Sequence, residues 1–423
     1  MNCVMTRGIY LRANGNLECY CGPGSKVSLA TLDLNRINND FVSKYYFGPS
    51  FQHIRKRMTN EEVPFPGICE QCDYLDIDAP LELENINNEI EWFHWEPSYL
   101  CNLDCEWCCG EREKIKKEKV HYLPFSLFSE MVDSINKYGL SMKMGNICGQ
   151  GEPLLNKDIW KMVSYAKKKI GGNILVSSNG NAEFNEEIVT SGLDKIKLAI
   201  DGITQEVYAR YRKNGSLKKV LDLTKNIAVY RKKINSRNPT IIWQYLLFDY
   251  NDSDEELLKF QQMAIDYEVN QIRIVYTRTS NYSKRNPDDF PRIFPDVIIH
   301  KLKTDNILTV SNLSTIEKDI KTLESTGKLQ DAAKANMKMI QKCYKRLVLG
   351  VTSYDKYLKF INVISYIPCE NPASLTSEEY RIFTRTVKEG YERFVRLYKA
   401  IGDNKQMIAY QKYINQLTII DSP

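Results

Sequence analysis

The chain has 423 residues, 43% of them hydrophobic and 26% charged, with a net charge of +5. That composition belongs to a folded protein of about three domain-equivalents, or one large barrel with additions, and excludes a disordered or fibrous chain. No apolar run approaches the roughly 18 residues that span a bilayer, and MNCVMTRGIY lacks the apolar core of a signal peptide, so a cytoplasmic chain without membrane contact is expected. The mild charge and the run KIKKEK fit a solvated face, and no nucleic-acid partner is expected.

In chain order, residues 1–80 are Cys-rich and turn-rich. IYLRANGNLECY reads as two strands joined at Asn14–Gly15, and SFQHIRKRM as a helix. From 88 to 285 short apolar runs alternate with amphipathic stretches. The strands are expected at 91–96, 143–148, 173–178, 195–200, 240–248 and 271–276, with helical patterns in the gaps between them. Six β-α units in series predict an α/β fold, a partial (β/α)6 TIM-type barrel, with chemistry at the C-terminal ends of its strands. Residues 286–423 read as a mostly helical C-terminal extension with a strand-like YLKFINVISYIP, a candidate lid or partner surface.

Twelve cysteines in a chain of this kind argue for metal ligation over disulfides. Cys101, Cys105 and Cys108, in PSYLCNLDCEWCCG, follow the first barrel strand. A tetrahedral zinc site normally takes four protein ligands, whereas three thiolates suit a 4Fe–4S cluster with one iron open to a small molecule. A second group comprises Cys3, Cys19, Cys21, Cys69 and Cys72, while Cys109, Cys148, Cys343 and Cys369 stand apart.

The C-x3-C-x2-C loop resembles that of the radical S-adenosylmethionine (SAM) enzymes. The resemblance implies a 4Fe–4S cluster whose open iron binds SAM, and cleavage of SAM to a 5′-deoxyadenosyl radical. Further positions follow in order. CGQGEPLLN resembles the family's Gly-Glu-Pro motif, with Gln150 where a glycine is common. A cationic amino group needs a carboxylate and close backbone, and that role falls to Gly149, Gln150, Gly151 and Glu152. VSSNGN places Ser178 and Asn179 where the family lies near the SAM ribose, although a plain turn explains it equally. IKLAIDGITQEVYARYRKNGSLKKV resembles a segment common in family members with SPASM-type auxiliary clusters. Ala199 replaces a serine that helps hold the SAM carboxylate, and Arg212 could supply a guanidinium instead. Asp201 is a candidate helix cap or a chemical group.

The N-terminal cysteines resemble a reduced SPASM-like domain, here placed before the barrel. Four ligands of an auxiliary 4Fe–4S cluster would come from Cys3, Cys19, Cys69 and Cys72, with Cys21 as substitute, and a structural zinc site is the alternative. The resemblance covers about 280 residues and implies an external electron donor such as flavodoxin or ferredoxin. The expected reaction is hydrogen abstraction from a sugar-like or other small polar substrate, leading to epimerisation, dehydrogenation or dehydration. A ribosomally made peptide is the alternative substrate, and a non-catalytic zinc protein the contrasting class. Cys148 is the candidate hydrogen donor, set against a small buried residue, with Cys369 in reserve. Gln244, Tyr245 and Arg273 on the late strands offer hydrogen-bonding groups for a substrate or for strand partners.

Overall fold

The computed structural model describes residues 1–19, 27–32, 40–72, 74–106, 108, 120–276, 281–301, 310–344, 363–366 and 377–416, except 82, 85, 282, 287, 288, 291–293 and 295–297. Cys21, Cys109, Cys369 and the run KIKKEK lie outside the described residues.

The N-terminal strands are β1 (Asn2–Cys3), β2 (Gly8–Leu11), β3 (Asn16–Cys19), β4 (Val27–Thr31) and β5 (Leu75–Asp76). β6 (Glu89–Trp95), β7 (Ser141–Ile147), β8 (Asn173–Ser178), β9 (Lys195–Ala199), β10 (Thr240–Leu247) and β11 (Gln271–Tyr276) follow, then β12 (Ile298–Lys301) and β13 (Val363–Tyr366). β6 to β11 pair in sequence order, each parallel to the next, as six β-α units require.

Parallel strands must bury both faces, and the outer face is covered by amphipathic helices. Phe93 and Trp95 pack on Phe128 of helix Phe125–Lys137, with ring centroids 5.9 and 5.2 Å away. Burying Phe93 and Phe128 contributes roughly 1.5–3 kcal/mol each. On the far side Trp243 and Tyr245 pack on Phe260 of helix Asp254–Asp266, at 5.9 and 4.5 Å. Ser216 and Ser253 accept from Lys219 and Glu256 amides and so cap helices Leu217–Lys233 and Asp254–Asp266. Helix Gln205–Tyr211 starts at Thr204, whose hydroxyl accepts from the Val207 amide.

The sheet does not stop at residue 88. β2 lies parallel to β6 (Gly8↔Trp92 through Leu11↔Trp95), and β3 and β4 continue it antiparallel. At the other edge β13 pairs with β11, and β12 with β13, giving an 11-stranded sheet. One hydrophobic core runs through residues of all three segments. The C-terminal helices pack back on the N-terminal cysteines. Gln341, on helix Leu329–Tyr344, donates to the Cys72 and Leu75 carbonyls at 3.4 and 3.1 Å. Tyr410 donates to the buried Glu70 at 2.7 Å. Among the described residues, no helix is long and apolar enough to cross a membrane.

Candidate active site at the strand C-termini

The cysteine loop leaves β6 and is held from three sides. The Tyr99 amide donates to the His121 carbonyl at 2.8 Å, the Glu152 amide to the Leu100 carbonyl at 2.7 Å, and the Asp104 amide to the Lys213 carbonyl at 3.0 Å. These clamps bring the loop onto the ends of β7 and β9. Cys105 is buried, while Cys101 and Cys108 are exposed. The Cys101 sulfur accepts from Leu103 N at 3.5 Å and from Asn179 Nδ2 at 3.7 Å, and the Cys105 sulfur from Arg212 Nη1 at 3.7 Å. Burial pushes the Cys101 and Cys105 thiols up, and the Arg212 guanidinium offsets part of this at Cys105. Among the described residues, no three His, Cys, Asp or Glu side chains are grouped to hold a single metal ion.

Gly149 and Gly151 are needed for close packing against this loop. A Cβ on Gly149 would lie 2.0 Å from the Glu96 carboxylate, and one on Gly151 2.4 Å from the Ser98 carbonyl. The Gln150 amide donates to Glu96, whose other oxygen meets Arg12 Nε at 2.6 Å.

Glu152, expected from the sequence near the amino group of SAM, is enclosed by donors of the fold. It is only 3% exposed, and its oxygens accept from Leu154 N (3.0 Å), Ser178 Oγ (2.7 Å) and Asn179 N (2.7 Å). The reason is local: Glu152 caps the short 3-10 turn Pro153–Leu155 while the end of β8 presents two more donors. Glu152 is therefore a positioning residue for Ser178 and Asn179. Glu152→Gln is expected to lower stability by roughly 1.5–3 kcal/mol, since a charged acceptor is replaced by an amide facing donors. SAM affinity should fall with it while iron content is retained. Urea unfolding and equilibrium dialysis with labelled SAM check this; unchanged values for both would remove the positioning role.

Asn179 also donates to Asn102 at 2.8 Å, and Asn102 to the Asn181 carbonyl at 2.8 Å, so the turn after β8 is stitched to the cysteine loop. The turn reading and the site reading of VSSNGN describe the same residues. Arg212 is tied to Asp201 at 2.5 Å, and Asp201 also accepts from Leu246 N at 2.7 Å. Asp201 is thus not the helix cap; Thr204 is. The Asp201 carboxylate keeps Arg212 cationic and aimed at Cys105.

Inside the barrel Cys148 is half-buried. Its sulfur lies 3.4 Å from Asn146 Nδ2 and 3.6 Å from His94 Nε2. His94 Nε2 is 2.9 Å from the Cys148 carbonyl and Nδ1 is 3.2 Å from Asn146 Nδ2, partners that assign the proton to Nε2. Burial pushes the Cys148 thiol up to about 11 and the His94 imidazole down to about 4, so both are neutral near pH 7. His94, Asn146 and Asn102 were missed from sequence. The signal for His94 was its place between Phe93 and Trp95, which alternation turns outward. Tyr245 is not a lumen residue. It is fully buried, and its hydroxyl is 3.0 Å from the Asn251 carbonyl and 3.2 Å from Glu256 on the helix side.

Cys3, Cys19, Cys69 and Cys72 are all buried. Cys3 pairs in register with Leu75, three residues beyond Cys72, and the Cys72 amide donates to the Cys69 carbonyl at 3.0 Å. The Leu11↔Leu17 pairing carries Cys19 back toward the start of β2.

Residues 95–264 match the family model of the radical SAM superfamily. The chain carries a radical SAM domain. It is 24% identical over 188 residues to GTP 3′,8-cyclase of Syntrophomonas wolfei, covering 44% of this chain and 55% of that protein. It is 28% identical over 166 residues to mycofactocin maturase MftC of Mycobacterium ulcerans, covering 38% and 40%. The matches thus span about half the length of these relatives. Streptococcus suis SuiB bound to S-adenosylmethionine is similar with a TM-score of 0.38 and 13% identity, over 62% of this chain and 53% of that one.

Proposed function

We propose that this chain is a radical SAM enzyme acting on a small polar substrate held inside the barrel. Cys101, Cys105 and Cys108 would hold a 4Fe–4S cluster. The donor set fits: three thiols on one loop, two of them exposed, with an amide and a guanidinium donating to two of the sulfurs. When bound, cluster and SAM would supply one-electron cleavage to a 5′-deoxyadenosyl radical that takes a hydrogen atom from an unactivated carbon. Gly149, Gln150, Gly151, Ser178, Asn179 and Arg212 border the place for SAM, and Glu152 orients two of them. The observation that carries this reading is the meeting of Asn179 and Arg212 with Cys101 and Cys105 at the C-terminal ends of parallel strands. The nucleotide named for the GTP 3′,8-cyclase relatives is a small polar molecule of the class proposed. Electron paramagnetic resonance of the reduced protein is the test. Added SAM should change the cluster signal, and a spectrum indifferent to SAM counts against the reading.

Cys3, Cys19, Cys69 and Cys72 are proposed to hold a second cluster, which would pass electrons to or from an external flavodoxin or ferredoxin.

A redox-neutral outcome is favoured by the state of Cys148. A cysteine gives up a hydrogen atom only as the thiol, and burial favours that form of Cys148. Its S–H bond breaks as the substrate C–H bond forms; the sulfur radical is restored by one proton and one electron, the latter from the external donor. In deuterated buffer the wild-type product should carry deuterium, and Cys148→Ala should lose it. Full turnover by that variant with deuterium retained would remove Cys148 from the reaction.

A further inference from the structure

The outer faces of the late strands fix which residues look inward. Ile147, Ile196, Leu198, Trp243 and Ile274 are buried against the helix layer. Alternation therefore turns Cys148, Lys197, Gln244 and Arg273 to the inner face. Register sets them side by side: Ser177 opposite Lys197, Lys197 opposite Ile242, and Gln244 opposite both Ala199 and Arg273. All of these inward polar side chains keep some solvent access.

Two cations on one inner face repel each other, and neither the cysteine loop nor the Gly-Glu-Pro segment uses them. Among the described residues Lys197 forms no ion pair. Burial, and next the Arg273 charge, press its ammonium down to about 8, with the Cys148 sulfur opposing. Perturbed ionisable groups cluster at functional sites.

We infer that Lys197 and Arg273 form the binding site for an anionic group of the substrate, a carboxylate or a phosphate, in the chamber shared with Cys148. The inference rests on the barrel being the substrate chamber. A planar guanidinium and a mobile ammonium together match either oxyanion, and Gln244 lies at hand for a neutral oxygen. Anchoring there would place the neighbouring carbons of the substrate beside the Cys148 thiol.

The test is calorimetric titration of the purified wild-type protein, without SAM, with inorganic phosphate and separately with glutarate. One saturable site is expected, weakened at least tenfold in Lys197→Met and in Arg273→Gln. Lys197→Met removes a confined charge and should fold, as a thermal melt will show, and Lys197→Arg should restore binding. Phosphate alone binding assigns a phosphorylated substrate, glutarate alone a carboxylate, and both support the site. No saturable binding of either probe, or equal binding in both variants, overturns it. Formation of 5′-deoxyadenosine by the wild type is measured separately. Its absence would strike the cofactor reading and leave the anion titration to stand or fall alone.

Discussion

Replacing Cys101, Cys105 and Cys108 together by alanine is expected to abolish SAM cleavage and to remove about half of the bound iron. Each 4Fe–4S cluster needs its own thiolates, and the four buried N-terminal cysteines lie away from the loop after β6, on β3 and at β1 and the turn before β5, strands of a separate two-stranded sheet. The remaining iron should therefore survive in the triple variant. Iron and sulfide analysis of anaerobically purified protein gives the answer directly. Iron falling to zero would show that the N-terminal group holds no cluster of its own. Zinc there instead would turn that region into a structural metal site.

The second large effect is expected on stability. Asp201 is fully buried and carries both the Arg212 guanidinium and the Leu246 amide. Asp201→Ala strands a buried cation and an unpaired amide, which costs about 3–5 kcal/mol. The same substitution frees Arg212 from its aim at Cys105, so iron binding should weaken as well. Asp201→Asn keeps an acceptor for Leu246 and should be milder. Urea midpoints of the two variants decide the matter. A loss under about 1 kcal/mol for the alanine variant would mean that Arg212 finds another partner.

Much of this site was legible in local pattern. The six barrel strands follow from short apolar runs, and the Asn14–Gly15 turn from its dipeptide. The cysteine spacing needed no structure at all. What local pattern could not carry was pairing across long separations. Nothing in GIYL says that it lies parallel to WFHW some 80 residues later, because a strand's partner is set by the assembled core. The same holds for Gln341 reaching Cys72 and Tyr410 reaching Glu70, contacts that turn a motif-free helical tail into a cover for the N-terminal cysteines. Glu152 stands out in the sequence, but the partners of its carboxylate do not. A carboxylate's partners depend on which donors the fold brings near, and here Ser178 and the Asn179 amide arrive first. Lys197 and Arg273 lie on different strands far apart in sequence, and only the assembled sheet turns both to one inner face.

We propose that the three-cysteine loop serves SAM cleavage at the barrel mouth. Its most direct test is to reduce the anaerobically purified protein with dithionite, add SAM, and quantify 5′-deoxyadenosine and methionine against time. Both products are expected in equal amounts, and none from the triple cysteine variant. A reconstituted, iron-loaded wild type that forms neither would contradict it.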